Sequence, residues 1–383
     1  MAHIFKQPSG STKGIICFTH KEIKYLFSGH RYFAEPQRRL KRLINIAPKH
    51  SDLVIDEHHE AFEKIKKKYF VGIHFGWHQE NYPTIPGVDF YMAGPSTITF
   101  EEPEKVNFIP LDGSSFIPSC FYLDNPKDYH KEWDIIMVSR DVRWKNLDKF
   151  MLSIRKLYDQ GHNLKVLLVV PSNNDVARDN NPKITYVNLL SDYEKMFSYE
   201  ERGLFSILKT HNKMPFLGLA QPEIAKFYHL SKVFTLYSET EGGSRVISEA
   251  LLAGLPVVVK SNLTGGGRDF LNSENARFFD DFESAHTVLL DAVNNWQAIN
   301  TDTEAVYSET HEDASLERLK DYFSDLFDKN NQVFDGGLLN TDWLSFRINA
   351  HWHQGLPWAS KDFISPDIVT PEQFSLLLQE LEL

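Results

Sequence analysis

The chain has almost no cysteine: Cys17 and Cys120 are the only two among 383 residues. That excludes a disulfide scaffold and a cysteine-rich zinc module. Long apolar runs are missing too. The longest mostly apolar stretch is ALLAGLPVVV, residues 250–259, and Gly254 and Pro256 interrupt it. It falls far short of the about 20 residues that a spanning helix needs. The opening MAHIFKQPSGSTKG has no apolar core of the kind a secretory signal requires, so a cytoplasmic protein is expected. Basic charge is not in excess, because 41 Lys and Arg face 52 Asp and Glu, a net of −11. Proteins held to nucleic acid through phosphates carry a basic surplus, so no nucleic-acid partner is expected. There is no Asp-x-Asp, so no carboxylate-held metal is expected. No Gly-x-Gly-x-x-Gly follows a strand-like run, which argues against a dinucleotide oxidoreductase.

What is present describes a globular chain long enough for two domains: 42 % apolar and 24 % charged residues. Aromatic residues are abundant at 13 %, enough for large cores. The acidic surplus is not evenly spread. Residues 1–130 carry a net of +1 and the remainder −12. Residues 21–42 hold seven basic side chains (Lys21, Lys24, Arg31, Arg38, Arg39, Lys41, Arg42) against Glu22 and Glu35. Tyr25, Phe27, Tyr32 and Phe33 lie between them. Such a stretch is either a solvated helix face or a surface for anionic lipid headgroups or a phosphorylated acceptor.

Strand-like runs at residues 14–18, 53–55, 70–74, 89–92 and 107–109 fill the first part. The polar stretch LDNPKDYHKEW (123–133) is the best linker, and a strand restarts at 134–138. Phe150, Met151, Ile154, Leu157 and Tyr158 share one face of a helix. Strands are expected at 165–170, 215–219, 233–237 and 256–260. Helices are expected around Ile224 to Tyr228 and around Val246 to Leu251, the latter ending at Gly254. Alternation of this kind builds a parallel sheet with ligands outside the carboxyl ends of its strands.

One loop after a strand carries the chemistry: SETEGGSRVISEALLAGLPVVV, residues 238–259. Gly242 and Gly243 let the backbone approach a ligand closely. The first-turn N–H groups near Ser244, Arg245, Val246 and Ile247 favour an anion. Glu241 before the helix and Glu249 inside it can each accept from two neighbouring hydroxyls, as sugars and riboses present them. Two carboxylates bracketing an anion site suit a nucleotide sugar. His351 and His353 could offer two imidazoles to a metal, but no third ligand is spaced to complete that site.

With E-x7-E followed by EALLAGLPVVV, the chain resembles the retaining glycosyltransferases of the GT-B fold, family 4. DIIMVSRDVRWKNL (134–147), MPFLGLAQPEIAKFYHLSKVFTLYSETEG (214–242) and NFIPLDG (107–113) agree in order and spacing. The resemblance covers about residues 105–290. It implies an α/β GT-B fold: two Rossmann-like domains with parallel sheets facing a cleft. The segments would be an acceptor-side domain at 1–125, a nucleotide-sugar domain at 126–330, and an extension at 331–383 whose final helix packs back towards the first domain. It implies a retaining, metal-independent hexosyltransferase acting on a glycan, lipid-linked or other hydroxyl acceptor in surface polysaccharide or glycoconjugate synthesis. No cofactor is implied; the co-substrate would be a nucleoside diphosphate sugar, UDP favoured over GDP. Arg140 and Lys145 would neutralise the diphosphate, with Arg245 and Val246 beside it. Glu241, Gly242, Gly243 and Ser244 would hold the sugar, Glu249 the ribose, and Leu219 and Gln221 the base. His74, in YFVGIHFGWH, is the candidate first-domain histidine facing the sugar, with His78, His58 and His59 as weaker choices. Residues 264–268 (TGGGR) either wrap the donor or simply turn. The alternative is a non-catalytic GT-B accessory or binding subunit, motivated by a short first domain; the family's Gly-rich loop after its first strand is not evident either. The basic stretch would allow peripheral contact with the inner membrane face.

Overall fold

A computed structural model describes residues 3–5, 13–19, 66–67, 69–75, 79–85, 87–170, 185–209 and 221–334. Two sheets organise them. The first contains β1 (His3–Phe5), β2 (Gly14–Thr19), β3 (Tyr69–His74), β5 (Phe90–Met92) and β7 (Phe108–Ile109), in that spatial order. β1 pairs antiparallel with β2; every other pairing is parallel. A small parallel pair, β4 (Gln79–Tyr82) with β6 (Ile98–Phe100), lies apart from it. Tyr82, Tyr91 and Phe100 gather there edge to face.

The second sheet has six parallel strands in the order β10 (Phe205–Lys209), β9 (Val166–Val170), β8 (Trp133–Val138), β11 (Ser231–Leu236), β12 (Val257–Lys260) and β13 (Ala276–Phe279). β9 is apolar and buried along its length, and β12 is so up to its last residue, Lys260, as a sheet covered on both faces demands. Helix α1 (Leu147–Asp159) buries Leu147, Phe150, Met151, Ile154, Leu157 and Tyr158 on one side, the face expected from the sequence. α2 (Leu189–Met196), α3 (Tyr199–Arg202), α4 (Gln221–His229), α5 (Val246–Leu252), α6 (Ala285–Asn294) and α7 (Thr303–Thr310) complete this half. α5 ends as expected: Gly254 follows its last turn with φ +76°, and a Cβ there would collide with Pro126.

Two crossovers join the halves. Residues after β7 lead into β8, and α7 leads into α8 (Glu312–Lys329). They touch where Ile117 N donates to Thr310 O (2.8 Å) and Glu312 N donates to Ile117 O (3.0 Å). α8 then buries Leu319, Phe323, Leu326 and Phe327 in the first sheet's core, against Phe70, Phe90 and Phe116. The expected segment 126–330 therefore contains a helix whose apolar face belongs to the first core, because β2, β3 and β5 would otherwise leave one face open.

The expectations missed β1, β4, β6, β10 and β13. β10 reads FSILK, too short and mixed for a clear period. The expected strands at 53–55 and 215–219, the basic stretch 21–42, His58, His59, His78, Leu219 and His351 to His353 lie outside the described residues. Among the described residues no helix is long and apolar enough to cross a membrane.

Candidate active site

In the second sheet the strand order reverses between β8 and β11: successive strands proceed outward from β8 to one side and from β11 to the other. At such a switch point the loops after the two strands splay apart and leave a crevice. Arg140 and Lys145 follow β8, and Glu241 follows β11, so all three flank it. Lys145 ends a 3-10 turn, Arg143–Lys145, and the next residue, Asn146, takes a left-handed φ of 50°. Asn146 Nδ2 donates to Tyr237 O (2.9 Å), which ties the start of α1 to the end of β11. Lys145 Nζ donates to Glu241 Oε1 in an ion pair that is almost wholly buried. Arg140 is half-buried beside Asp141, whose carboxylate is engaged by Lys209 at 2.6 Å.

The Glu241 loop is held from below by residues 264–267. Glu241 N donates to Thr264 O (2.8 Å), and Thr264 N donates to Glu239 O (3.1 Å), which extends the pairing of β11 and β12 past their ends. Gly265, Gly266 and Gly267 all have positive φ, and a Cβ on Gly265 or Gly266 would collide with the carbonyl of Glu241 or Gly242. The triple glycine is therefore a support for the Glu241 loop. That loop's backbone occupies the places where Cβ atoms on Gly265 and Gly266 would sit, and Ile247 occupies the place beside Gly267.

Arg245 caps α5 and is buried, with Nε 3.6 Å from Glu249 Oε1. Tyr228 of α4 approaches the other Glu249 oxygen at 3.3 Å. Burial, then the Glu249 charge, raises the Tyr228 phenol well above its usual pKa. α5 spans seven residues, so Glu249 sits in its first turn and points into the half that holds α4. Gln221 opens α4, half-buried. Gly242 is buried, while Gly243, Ser244 and Val246 are half-buried.

The first half contributes the carboxyl ends of β3, β5 and β7. His74 ends β3 and is 1 % exposed. Among the described residues neither of its ring nitrogens has a hydrogen-bond partner. Burial pushes its pKa down to about 3, so the ring is neutral. After β7, Asp112 accepts from Ser114 N (2.7 Å) and caps the turn Gly113–Ser115. Burial raises its carboxyl pKa. Gly113 sits close enough to Gly243 that a Cβ would lie 3.5 Å from the Gly243 carbonyl. Ser96 Oγ donates to Asp269 Oδ2 (2.9 Å), a second link between the halves. Sequence reasoning missed Asp112, Asn146 and Tyr228. Asp112, in NFIPLDG, and Asn146, in Lys-Asn, lay within matching segments; Tyr228 carried no signal of a site.

Parts of the chain are similar to known proteins. Residues 123–309 match the family model of glycosyl transferases group 1. That part of the chain, just under half of it, is similar to glycosyl transferases group 1, a family of GT-B type. Similar solved structures include the pneumococcal O-GlcNAc transferase GtfA in complex with UDP and GlcNAc: 12 % identity, 70 % of this chain, 54 % of that chain, TM-score 0.48. Sucrose-phosphate synthase from Thermosynechococcus elongatus is similar at 13 % identity, over 79 % of this chain and 83 % of that one, with a TM-score of 0.49. Anabaena HepE in complex with UDP is similar at 10 % identity, over 70 % and 75 %, with a TM-score of 0.48. The chain spans about half the length of GtfA. No curated protein matches the sequence significantly.

Proposed function

We propose that the protein transfers a hexose from a nucleoside diphosphate sugar to a hydroxyl acceptor, with retention at the anomeric carbon. The observation that carries this reading is the buried Lys145–Glu241 pair at the switch point. An ammonium and a carboxylate buried together in a ligand crevice are groups that a diphosphate sugar can separate. Lys145 turns to the diphosphate beside Arg140, and the Glu241 carboxylate then accepts from sugar hydroxyls. Arginine offers a planar fork to phosphate and lysine a point charge. Arg245 and the Val246 N–H lie on the same side, and Gly242, Gly243 and Ser244 give the sugar a close backbone wall.

In the resting site Glu249 engages Arg245 and Tyr228. We assign it to the donor ribose, with Leu219 and Gln221 towards the base. His74, buried and neutral, contacts sugar hydroxyls and does not act as nucleophile. Departure of the diphosphate and attack by the acceptor take place on the same face of the sugar. Arg140 and Lys145 stabilise the charge that develops on the leaving group, and the reaction needs no divalent metal. The donor proposed is a UDP-sugar in preference to a GDP-sugar. The acceptor is a glycan or lipid-linked hydroxyl in surface polysaccharide or glycoconjugate synthesis, met at the cytoplasmic membrane face through residues 21–42.

A thermal-shift screen with UDP-, GDP- and ADP-sugars tests donor binding. A ligand at 100 times its Kd stabilises the fold by about 2.7 kcal/mol. Slow release of nucleoside diphosphate without acceptor, unaffected by EDTA and lost in Glu241→Gln, is the expected outcome. Stabilisation with no release would instead favour a non-catalytic GT-B binding subunit. Release abolished by EDTA and restored by Mg²⁺ would overturn the metal-independent route.

A further inference from the structure

A second cavity, of about 430 Å³, opens at the crossovers. It is lined by Ser119, Tyr122, Glu304, Tyr307, His311 and Asp313. Ser119, His311 and Asp313 have the order of a hydrolytic triad, with His311 Nε2 3.0 Å from Ser119 Oγ and Nδ1 3.7 Å from Asp313 Oδ2. The helix cap rules that chemistry out. His311 Nδ1 accepts from Asp313 N (3.2 Å) as the cap of α8, so the neutral ring carries its proton on Nε2 and donates to Ser119. That tautomer cannot take a proton from the hydroxyl.

The rest of the cavity has a different character. Tyr307 stacks on His311 with centroids 4.0 Å apart, and Tyr122 stands against Tyr307 at 5.1 Å and 72°. Two aromatic rings thus form walls near a right angle. Glu304 and Asp313 stand at the exposed rim, and Glu312 and Asp124 are near, the latter bonded to Tyr122. No lysine or arginine is among the described residues lining the cavity. Aromatic faces and carboxylates both attract positive charge.

We propose that this cavity binds an organic cation, a methylated ammonium or a primary amine, held by the Tyr122 and Tyr307 rings and by Glu304 and Asp313. None of its lining residues is among those assigned to the donor. A bound cation contacts both crossovers, Ser119 and Tyr122 on one and Tyr307 to Asp313 on the other, so it stabilises their junction.

The test uses the full chain, with tetramethylammonium, putrescine and neutral methyl glucoside titrated against a sodium chloride control of equal ionic strength. Melting temperature and calorimetric Kd are read. At least one of the two cations should raise the melting temperature, and which one does so identifies the ammonium class. Glu304→Gln and Asp313→Asn, both at exposed positions, should each weaken that binding about tenfold. No shift with either cation overturns the proposal, as does a shift that survives both substitutions. Binding of methyl glucoside alone, sensitive to the same carboxylates, would also overturn it and make the cavity a sugar subsite.

Discussion

At the scale of the residue, the Lys145–Glu241 pair has consequences for stability as well as for ligands. Both side chains are almost fully buried. Removing one leaves the other charge in a poorly solvated place, which typically costs about 3–5 kcal/mol. Lys145→Met should therefore lower unfolding free energy by that order in urea titrations, and Lys145→Met with Glu241→Gln should recover much of it. Equal losses in the single and double variants would show that the ion pair does not form in solution. The two carboxylates should differ towards ligand. Glu241→Gln should lower turnover roughly ten- to a thousand-fold, about 1.4–4 kcal/mol, while free nucleoside diphosphate still binds. Glu249→Gln should weaken nucleoside diphosphate itself, because the ribose is present with or without the sugar. One calorimetric titration of each variant decides, and the opposite pattern would reverse the assignment. His74 makes a separate prediction through acid stability. Its folded pKa is near 3 against an ordinary 6.5, so below pH 6.5 the unfolded chain binds a proton that the folded chain refuses. Stability contributed by neutral His74 is complete above pH 6.5 and is lost as pH falls towards 3, at up to about 1.4 kcal/mol per unit. His74→Gln should flatten the stability profile between pH 6.5 and 4; an unchanged slope would mean the ring is hydrated in solution.

At the scale of the element, the site depends on how two loops are pressed together. Gly266 has φ +30°, and a Cβ there would collide with the Gly242 carbonyl and press on Ser244. Gly266→Ala must therefore lift the Glu241–Ser244 loop. We expect nucleoside diphosphate affinity to fall at least tenfold, about 1.4 kcal/mol, with Gly161→Ala as the control. Gly161 also has positive φ but open space around it, so its substitution should affect stability alone. Equal ligand affinity in both variants would remove the triple glycine from any supporting role. These elements differ in how far they could be read from sequence. The face of α1, the stop of α5 at Gly254 and the strands β8, β11 and β12 were legible, because burial on a parallel sheet imposes apolar runs and a 3.6-residue period. Lys145 and Glu241 were legible as members of a motif, but their contact was not: 96 residues separate them, and only the order of strands in the sheet brings them together. The glycines of 265–267 were visible, yet whether they faced a ligand or a loop depended on a neighbour distant in sequence. His74 was visible at a strand end, whereas its missing partners follow from packing alone.

At the scale of the whole molecule, α8 is what makes the two sheets one folding problem. It leaves the second half at the Ile117–Glu312 contact and lays Leu319, Phe323, Leu326 and Phe327 into the first core. The division of the chain read from sequence put residues 312–329 with the second half, since the order of segments does not tell against which sheet a helix packs. Phe323 is fully buried and packs edge-on against Phe90 with centroids 5.5 Å apart. Phe323→Ala should cost about 3–5 kcal/mol, the usual range for emptying a buried aromatic site. The loss should fall on the first sheet, because the second has its own, larger core. In Phe323→Ala a urea transition should therefore divide in two, the first sheet melting early and the second keeping its wild-type midpoint. Nucleoside diphosphate affinity, which the proposed function assigns to the loops after β8 and β11, should persist between the two midpoints. A single transition displaced as a whole would instead mean that neither half outlasts the other, and a loss below about 1 kcal/mol would mean that α8 is not docked on the first sheet in solution.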